Sequence, residues 1–274
     1  MSRKRLTQVF PFLLPLRQWQ RKKLFYLKMR FDGNRYAKNR SKNRLPYMVF
    51  ETSSMMVNAN SGYDMNFQFN KVHNLKLAAK TIDKIILESN ETFSFWQCAR
   101  FADRYEPYLD GLNLVDGKIV GSYGGGLCQL SNMLFWMFLH TPLTVIERHG
   151  HTIESFPSTT EELPCGTDAT INEGWLDLKV RNETDNIFQI EISFDDEYMY
   201  GRILSQKPVE TDYTVYNSSV SYIRQDGNVY QLASVCRSET DKKTSYKTEK
   251  ELYRNRCEIA YELPENIYVE ERGV

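Results

Sequence analysis

Residues 121–151 read GSYGGGLCQLSNMLFWMFLHTPLTVIERHGH, which joins a glycine-rich turn to a helix and a strand. Gly124, Gly125 and Gly126 stand just before Cys128, and the apolar run at 130–139 has the length of a buried helix. Glycine permits backbone angles that other residues avoid, so the chain can turn sharply there. The stretch therefore predicts a cysteine at the start of a helix, where the positive end of the helix dipole favours a thiolate.

The residues after this helix predict a strand that supplies two histidines. LTVI at 143–146 is rich in β-forming residues, and ERHGH at 147–151 follows directly. If the strand continues, its alternation places His149 and His151 on one face and Arg148 on the other. One imidazole that faces a thiol suits general-base catalysis, whereas two imidazoles side by side suit metal binding.

An acidic residue further along completes a candidate catalytic set. Asp168 is predicted to accept a hydrogen bond from the N–H of a histidine ring and to hold that ring towards Cys128. It fits the role of a turn-capping aspartate equally well, and Asp177 is the reserve candidate. In this hypothesis Cys128 is the nucleophile, and His149 or His151 is its base. The residues expected to form the oxyanion and binding contacts are Gly124, Gly125, Gly126, Gln129 and Arg148.

Three alternatives compete with the thiol enzyme. Zinc would be bound by Cys128, His149 and His151, with Cys165 or Asp168 as a fourth ligand, although the spacing fits no common zinc finger. A site without any cofactor is therefore the first expectation. A non-enzymatic protein would use the glycine turn as a cradle for an anionic or peptide ligand. The plainest alternative is a buried cysteine with a packing role.

Several motifs resemble the VanW family. They are GGGLCQLS at 124–131, ERHGH at 147–151, GTDATINEGWLDLKVRNET at 166–184, FETSSMMVNANSGYDM at 50–65 and ETFSFWQ at 91–97. The resemblance implies an accessory role in glycopeptide (vancomycin) resistance and in cell-wall peptidoglycan metabolism, with a wall peptide or precursor as partner. It implies no particular reaction. The order of cysteine, histidine and acid is also similar to papain-like and NlpC-type peptidases, which favours a cysteine-dependent amidase, peptidase or transpeptidase, that is, a hydrolase or an acyl transferase.

The net charge of zero hides a strong asymmetry along the chain. Residues 1–44 hold 14 Lys and Arg and one acid, so the remaining residues hold 21 basic and 34 acidic ones. Trp19, Leu24, Phe25, Leu27 and Phe31 stand among these cations and predict a basic amphipathic helix for an anionic membrane surface. The alternative is an arm that docks on the acidic body. No nucleic-acid-binding module accompanies the charge, so nucleic acid is not an expected partner.

The N-terminal apolar run and the cysteines bear on the compartment. Residues 9–16 are too short to span a bilayer and are interrupted by Pro11 and Pro15. The five cysteines are an odd number without CxxC spacing, which indicates free thiols in a reducing compartment. The prediction is a cytoplasmic protein, with a peripheral position at the inner face of the membrane as the refinement.

The pattern of elements predicts an α+β fold in three parts. Residues 1–44 form a basic arm, 45–206 an α+β domain and 207–274 a β-rich extension. Val72, Leu75, Ala79 and Ile82 recur at helical spacing, and strands are predicted at 46–51, 64–69, 175–180, 187–194 and 198–204, the last three as an antiparallel meander. Hairpin turns are predicted at 116–117 and 225–228. The cysteine-bearing helix is expected to pack on an antiparallel sheet.

Overall fold

The chain folds as a mixed α+β protein, which confirms the predicted class. The computed structural model describes residues 10–58, 62–115, 118–155 and 163–271, and within these ranges it contains four α-helices and fifteen strands. Helix α1 spans Leu14–Phe31 after a short 3₁₀ turn, α2 spans Met65–Ile82, α3 spans Phe95–Ala99 and α4 spans Cys128–Leu139. None of the helices in the described part of the chain is both long and apolar enough to cross a membrane.

Helix α2 confirms one prediction and overturns another. Leu75, Ala79 and Ile82 are buried along its inner face, as their spacing predicts. The strand predicted at 64–69 is wrong, because Asp64 caps this helix. Its carboxylate accepts a hydrogen bond from the backbone N–H of Asn66, which satisfies a donor that the first helical turn leaves without a partner.

The strands form four sheets. Their bounds are β1 Arg35–Tyr36, β2 Tyr47–Met55, β3 Ile86–Leu87, β4 Glu91–Ser94, β5 Asp110–Val115, β6 Lys118–Tyr123, β7 Thr144–Glu147, β8 Ile153–Glu154, β9 Lys179–Arg181, β10 Phe188–Phe194, β11 Tyr198–Ser205, β12 Thr211–Gln225, β13 Asn228–Asp241, β14 Lys247–Ile259 and β15 Val269–Glu271. The strand orders are β1-β4-β9-β7, β2-β11-β10-β3, β15-β12-β13-β14-β8 and the hairpin β5-β6.

Helix α4 packs against the antiparallel strands β2 and β11. Its apolar side chains Leu130, Leu134 and Phe138 are fully buried in the main core. The approach to β11 is close at Gly201, where a Cβ atom would lie 2.5 Å from the sulfur of Met137. The sheet therefore fixes the position of the helix whose first residue is Cys128.

The predicted meander is partly wrong. Strands β10 and β11 pair as an antiparallel hairpin, as expected, but β9 pairs with β4 and β7 in a different sheet. The segment before β9 is not a strand, because the buried carboxylate of Asp177 accepts hydrogen bonds from Ser94 Oγ at 2.5 Å and from the backbone N–H of Trp96 at 3.2 Å. Asp177 thus holds the start of α3 and is not available as the reserve orienting acid.

The C-terminal residues are β-rich, as predicted. Strands β12 and β13 meet at Asp226 and Gly227, whose positive φ angles of 52° and 81° are those of a tight hairpin turn. Strands β5 and β6 also pair, although the predicted turn residues 116–117 lie outside the described residues. Strand β14 pairs with β8, and the side chain of Asn217 bonds the backbone of Cys165, so the last sheet contacts the segments that carry the candidate site.

Candidate functional site

Cys128 is the first residue of α4, and it is half-buried and packs against the main core. The sulfur lies 3.9 Å from the backbone oxygen of Ile171. The first backbone N–H groups of an α-helix have no acceptor within the helix, and their positive ends favour a nearby anion. At the start of α4, however, the N–H groups of Gln129 and Leu130 already donate to the backbone oxygens of Gly126 and Leu127, at 3.1 and 3.0 Å. The backbone N–H of Cys128 itself is therefore the candidate donor for a negatively charged atom beside the thiol.

The glycine turn ahead of Cys128 is shaped by close backbone packing. Gly124 and Gly126 adopt φ angles of 71° and 90°, which other residues rarely adopt. At Gly125 a Cβ atom would lie 2.1 Å from the backbone oxygen of Gly111, so only glycine fits there. The buried side chain of Asn74 donates a hydrogen bond of 3.0 Å to the oxygen of Gly125 and so ties the turn to helix α2. Sequence analysis missed both Asn74 and Gly111.

The structure brings His151 and Asp168 together. Nδ1 of His151 lies 2.5 Å from Oδ2 of Asp168, and the backbone N–H of His151 donates to the same oxygen at 2.6 Å. The side chain of Cys128 also helps to raise the pKa of this ring, so the sulfur lies near the imidazole. Three of the predicted catalytic residues therefore lie in one site.

Charge in this group favours a protonated imidazole. Burial opposes the charge on His151, but the hydrogen bonds to Asp168 and Cys128 outweigh it and raise the pKa of His151 to about 10. Burial likewise opposes the charge on Asp168, and the hydrogen bond and charge of His151, with help from Arg148, outweigh it and lower the pKa of that carboxyl. At neutral pH the thiol thus faces an imidazolium, which an aspartate carboxylate holds in place.

His149 is directed away from this group. Strand β7 ends at Glu147, so the alternation that would place both histidines on one face is not maintained, and that prediction is wrong. Nε2 of His149 lies 3.1 Å from Oε1 of Glu147. The other carboxylate oxygen of Glu147, Oε2, pairs with Lys179. Among the residues that the structure describes, no group of three or more His, Cys, Asp and Glu is arranged to hold a metal ion, and His149 is turned away from the set proposed for zinc.

Arg148 serves the carboxylate rather than an oxyanion. Its guanidinium donates to Oδ1 and to the backbone oxygen of Asp168, at 2.7 and 2.6 Å, and to the backbone oxygen of Gly166 at 2.7 Å. The ring of Tyr253 lies under the guanidinium carbon, 4.5 Å away at its centroid. Four of its five N–H donors are thus directed to Asp168, Gly166 and Asn255, so the side chain positions Asp168 and is not aimed at an oxyanion.

Gln129 is likewise committed elsewhere. Its amide nitrogen donates to the hydroxyl of Ser54 at 2.9 Å and to the backbone oxygen of Met55 at 2.6 Å, both on β2. The side chain of Gln129 thus anchors α4 to the sheet and does not point to the thiol. The backbone N–H of Gln129 also has an acceptor, the oxygen of Gly126, so the candidate oxyanion contact at the start of α4 is the N–H of Cys128.

Helix α4 also fixes the segment that carries Asp168. The hydroxyl of Ser131 donates to the backbone oxygen of Ala169 at 2.5 Å, and the side-chain oxygen of Asn132 accepts from the N–H of Ala169 at 2.8 Å. From β14, the hydroxyl of Tyr253 donates to the backbone oxygen of Gly166 at 3.0 Å. One helix therefore presents the cysteine and also holds the aspartate, and Ser131 and Asn132 are positioning residues that the motif pattern did not reveal.

Lys71 lies against the glycine turn and was also missed. A Cβ atom at Gly126 would lie 2.2 Å from Cγ of Lys71, so the lysine stem covers this glycine. Burial lowers the pKa of the Lys71 ammonium to about 8. The apolar spacing of α2 gave no signal for this contact, because Lys71 lies outside the buried stripe of that helix.

The other cysteines differ from Cys128 in their surroundings. Burial raises the pKa of the Cys98 and Cys257 thiols to about 12, and it also raises the pKa of Cys165. Cys236 is buried as well. Cys98, Cys236 and Cys257 fit the structural roles expected for them, and the four thiols serve as internal references for the reactivity of Cys128.

Comparisons with known proteins cover the site. A family model described as VanW like protein matches residues 70–204. The chain is 49% identical over 272 residues to the Vancomycin B-type resistance protein VanW of Enterococcus faecalis, an alignment that covers 99% of each chain. It is 36% identical over 111 residues to the Uncharacterized protein YoaR of Bacillus subtilis, which is 40% of this chain and 35% of that protein. No solved structure gives a significant match. Cys128, His151 and Asp168 all lie within the range of the family model.

Proposed function

The chain belongs to the VanW family, and on that premise we propose that it is an accessory protein of vancomycin resistance that acts on a cell-wall peptide or precursor with Cys128 as nucleophile. The similarity to a vancomycin resistance protein over the whole chain supports the biological role. One observation carries the chemistry: a half-buried thiol at a helix start interacts with an imidazole that Asp168 holds at 2.5 Å.

The first half of the proposed reaction forms a thioester. The thiolate of Cys128 attacks the carbonyl carbon of an amide, and the electron pair of the C=O bond moves to oxygen, close to the backbone N–H of Cys128. As the carbonyl reforms, the C–N bond breaks and the imidazolium of His151 gives its proton to the leaving amine. Because the imidazole is protonated at neutral pH, it is ready to act as this acid.

The second half releases the product. His151, now neutral, takes a proton from water or from an acceptor amine, which attacks the thioester. The C–S bond breaks, and the thiolate and imidazolium are restored. Water gives hydrolysis and an amine gives acyl transfer, so the site supports an amidase, a peptidase or a transpeptidase. Asp168 keeps its charge throughout and orients the ring, and Arg148 holds Asp168.

The zinc alternative lacks such support. Of its three proposed ligands, His149 is bonded to Glu147, and the nitrogen of His151 that faces Asp168 is already occupied by that carboxylate. The non-enzymatic alternative uses the same glycine turn but does not need a reactive sulfur. Replacing the sulfur of Cys128 therefore distinguishes the two hypotheses, because only the enzyme needs a reactive thiol.

The test has a chemical and a biological arm. In the first, the folded protein is alkylated with iodoacetamide at neutral pH and each cysteine peptide is followed by mass spectrometry; Cys128 is expected to react faster than Cys98 and Cys257, whose thiols are neutral at that pH. In the second, vancomycin resistance is measured in cells that depend on this protein. Cys128→Ala is expected to abolish its contribution, and Cys165→Ala, another half-buried thiol, is expected to keep it.

Two results would overturn the proposal. Alkylation of Cys128 at the rate of Cys98 would show that the thiol is not activated. Full resistance with Cys128→Ala, and with Cys128→Ser, would show that the glycine turn acts in recognition alone.

A further inference from the structure

Helix α1 has two faces with different surroundings. Phe25 and Tyr26 pack against the core, Met29 is buried, and Lys22 forms an ion pair with Glu173. These positions recur at helical spacing, and their contacts attach one face of the helix to the body. For this face, the predicted alternative of an arm that docks on the acidic body holds. On the opposite face, the residues that the structure describes supply no such core or carboxylate contacts.

The side of α1 that is turned away from the body, which we call the outer face, carries both apolar and basic side chains. Its apolar members are Leu16, Trp19, Leu24, Leu27 and Phe31, which are between 52% and 77% exposed. Isolated apolar side chains at a surface need no explanation, but a broad stripe on one side of a helix does, and here it consists of two groups, Leu16 with Trp19 and Leu24 with Leu27 and Phe31. Such a stripe is typical of a surface that another phase or molecule covers.

The charges of this helix are all positive. Residues 14–31 contain six Lys and Arg and no Asp or Glu. Lys22 is paired, and within the described part of the chain none of the other five forms an ion pair. Instead, Arg21 lies 5.2 Å from the ring centre of Trp175, which is itself 63% exposed, and Lys23 lies 5.7 Å from that of Trp19. The outer face thus combines an exposed tryptophan, Trp19, with cations that no carboxylate neutralises.

We propose that the outer face of α1 docks on the surface of an anionic lipid bilayer. The cations lie among the apolar side chains, and that arrangement distinguishes a bilayer from a protein partner. The centres of protein interfaces are depleted of lysine, whereas at a bilayer long basic side chains extend to the headgroups while their apolar neighbours enter the acyl boundary. Tryptophan favours the same boundary. The helix lies along the surface and does not cross it.

Docking would bring the candidate site close to the membrane. Glu173, which pairs with Lys22 and accepts a hydrogen bond from Tyr26, follows Ile171 by two residues, and the oxygen of Ile171 contacts the sulfur of Cys128. The docking surface rests on exposure and charge alone, so it stands whether or not Cys128 is a nucleophile.

The test uses the full chain and two kinds of vesicle. Phosphatidylcholine vesicles with and without phosphatidylglycerol are sedimented with the protein. We expect the protein to bind the vesicles that contain phosphatidylglycerol, and this binding to weaken as the salt concentration rises. The pair Arg17→Gln and Lys28→Gln is expected to weaken binding by about fivefold per residue. The pair Trp19→Gln and Leu27→Gln is expected to weaken it by about tenfold or more. Circular dichroism checks that each variant is folded.

Matched controls come from the C-terminal sheet. Tyr246→Gln with Tyr268→Gln removes two aromatic rings that are 69% and 82% exposed, and Lys243→Gln with Arg254→Gln removes two exposed charges. Both pairs are expected to bind vesicles as the wild type does. As a second measurement on the unaltered fold, lipids brominated near the headgroup are expected to quench the fluorescence of Trp19, and Trp19→Phe is expected to remove that quenching.

Three results would overturn the docking surface. They are equal binding to vesicles with and without phosphatidylglycerol, equal loss in the control pairs, and unchanged vesicle binding in the Trp19 and Leu27 variant. If that variant instead changed the protein from dimer to monomer in sedimentation, the outer face would be a contact between copies of the chain. None of these outcomes depends on the reactivity of Cys128, so they leave the proposed chemistry untouched.

Discussion

Nδ1 of His151 lies 2.5 Å from Oδ2 of Asp168, and the same imidazole interacts with the thiol of Cys128. A single ring thereby links a carboxylate on one loop to a sulfur at a helix start. The neighbouring His149 takes no part, because its ring faces Glu147 at 3.1 Å. The two histidines differ in position by only two residues, which makes them a matched pair for testing the site.

The first prediction compares these two histidines. His151→Ala is expected to slow the alkylation of Cys128 by about tenfold or more, because the thiolate loses the positive charge beside it. His149→Ala is expected to leave the rate within about twofold of the wild type. The measurement is the rate of carbamidomethylation of the Cys128 peptide at neutral pH. Equal rates in both variants would remove His151 from the site.

The second prediction concerns the proton on His151. Asp168→Asn is expected to lower the pKa of His151, because the carboxylate is a hydrogen-bond partner that favours the protonated ring. The isosteric change Asp177→Asn, at the buried aspartate that caps α3, is expected to leave that pKa unchanged. NMR titration of the histidine ring signals measures both. An unshifted His151 in the Asp168 variant would contradict the arrangement.

A third prediction follows from the sign of this shift. The pKa of His151 rises from 6.5 to about 10 in the folded protein, so its interactions stabilise the fold fully below about pH 6.5 and are lost as the pH rises through about 10. The urea midpoint of the wild type is therefore expected to fall over this range. In Asp168→Asn the decline is expected to be smaller and to begin at lower pH. A urea midpoint of the wild type that rises between about pH 6.5 and 10, while that of Asp168→Asn does not, would contradict this prediction. The same rise in both proteins would come from other groups.

The fourth prediction concerns Arg148. Arg148→Ala leaves the carboxylate of Asp168 and the oxygen of Gly166 without their donor, and we expect a loss of about 3 kcal/mol in the free energy of unfolding. Arg254→Ala removes an exposed guanidinium whose side chain is 79% accessible, and its cost is expected to stay below about 1 kcal/mol. Urea denaturation measures both variants. Equal costs would show that Arg148 does not hold the loop.

The fifth prediction tests the glycine turn. Gly125→Ala forces a Cβ atom to within 2.1 Å of the oxygen of Gly111, and we expect it to cost about 3 kcal/mol or more. Gly33→Ala is the control, because Gly33 has a positive φ of 77° and nothing within 4 Å, so it incurs only backbone strain of about 1 kcal/mol. The difference in unfolding free energy between the two variants isolates the packing effect.

Much of the site follows from local sequence. The glycines before Cys128 predict a turn into a helix, and the apolar run after it predicts a buried helix, because backbone freedom and hydrophobic length are properties of a few neighbouring residues. The resemblance of the motifs to the VanW family also comes from sequence alone, and the full-length similarity confirms it. The end of β7 could not be predicted from the sequence, because the strand stops at Glu147, which pairs with Lys179 of another strand.

The amino-acid sequence alone predicts the α+β class, the cysteine at the start of α4 and the concentration of positive charge near the N-terminus. Three features became visible only in the folded chain: His151 rather than His149 lies near Cys128, Arg148 binds Asp168, and α1 leaves one face exposed. They could not be predicted because periodicity indicates only which side of an element is apolar. The partner of a polar side chain depends instead on which distant segments pack together. Here the segment that contains Asp168 and Ile171 packs against the start of α4.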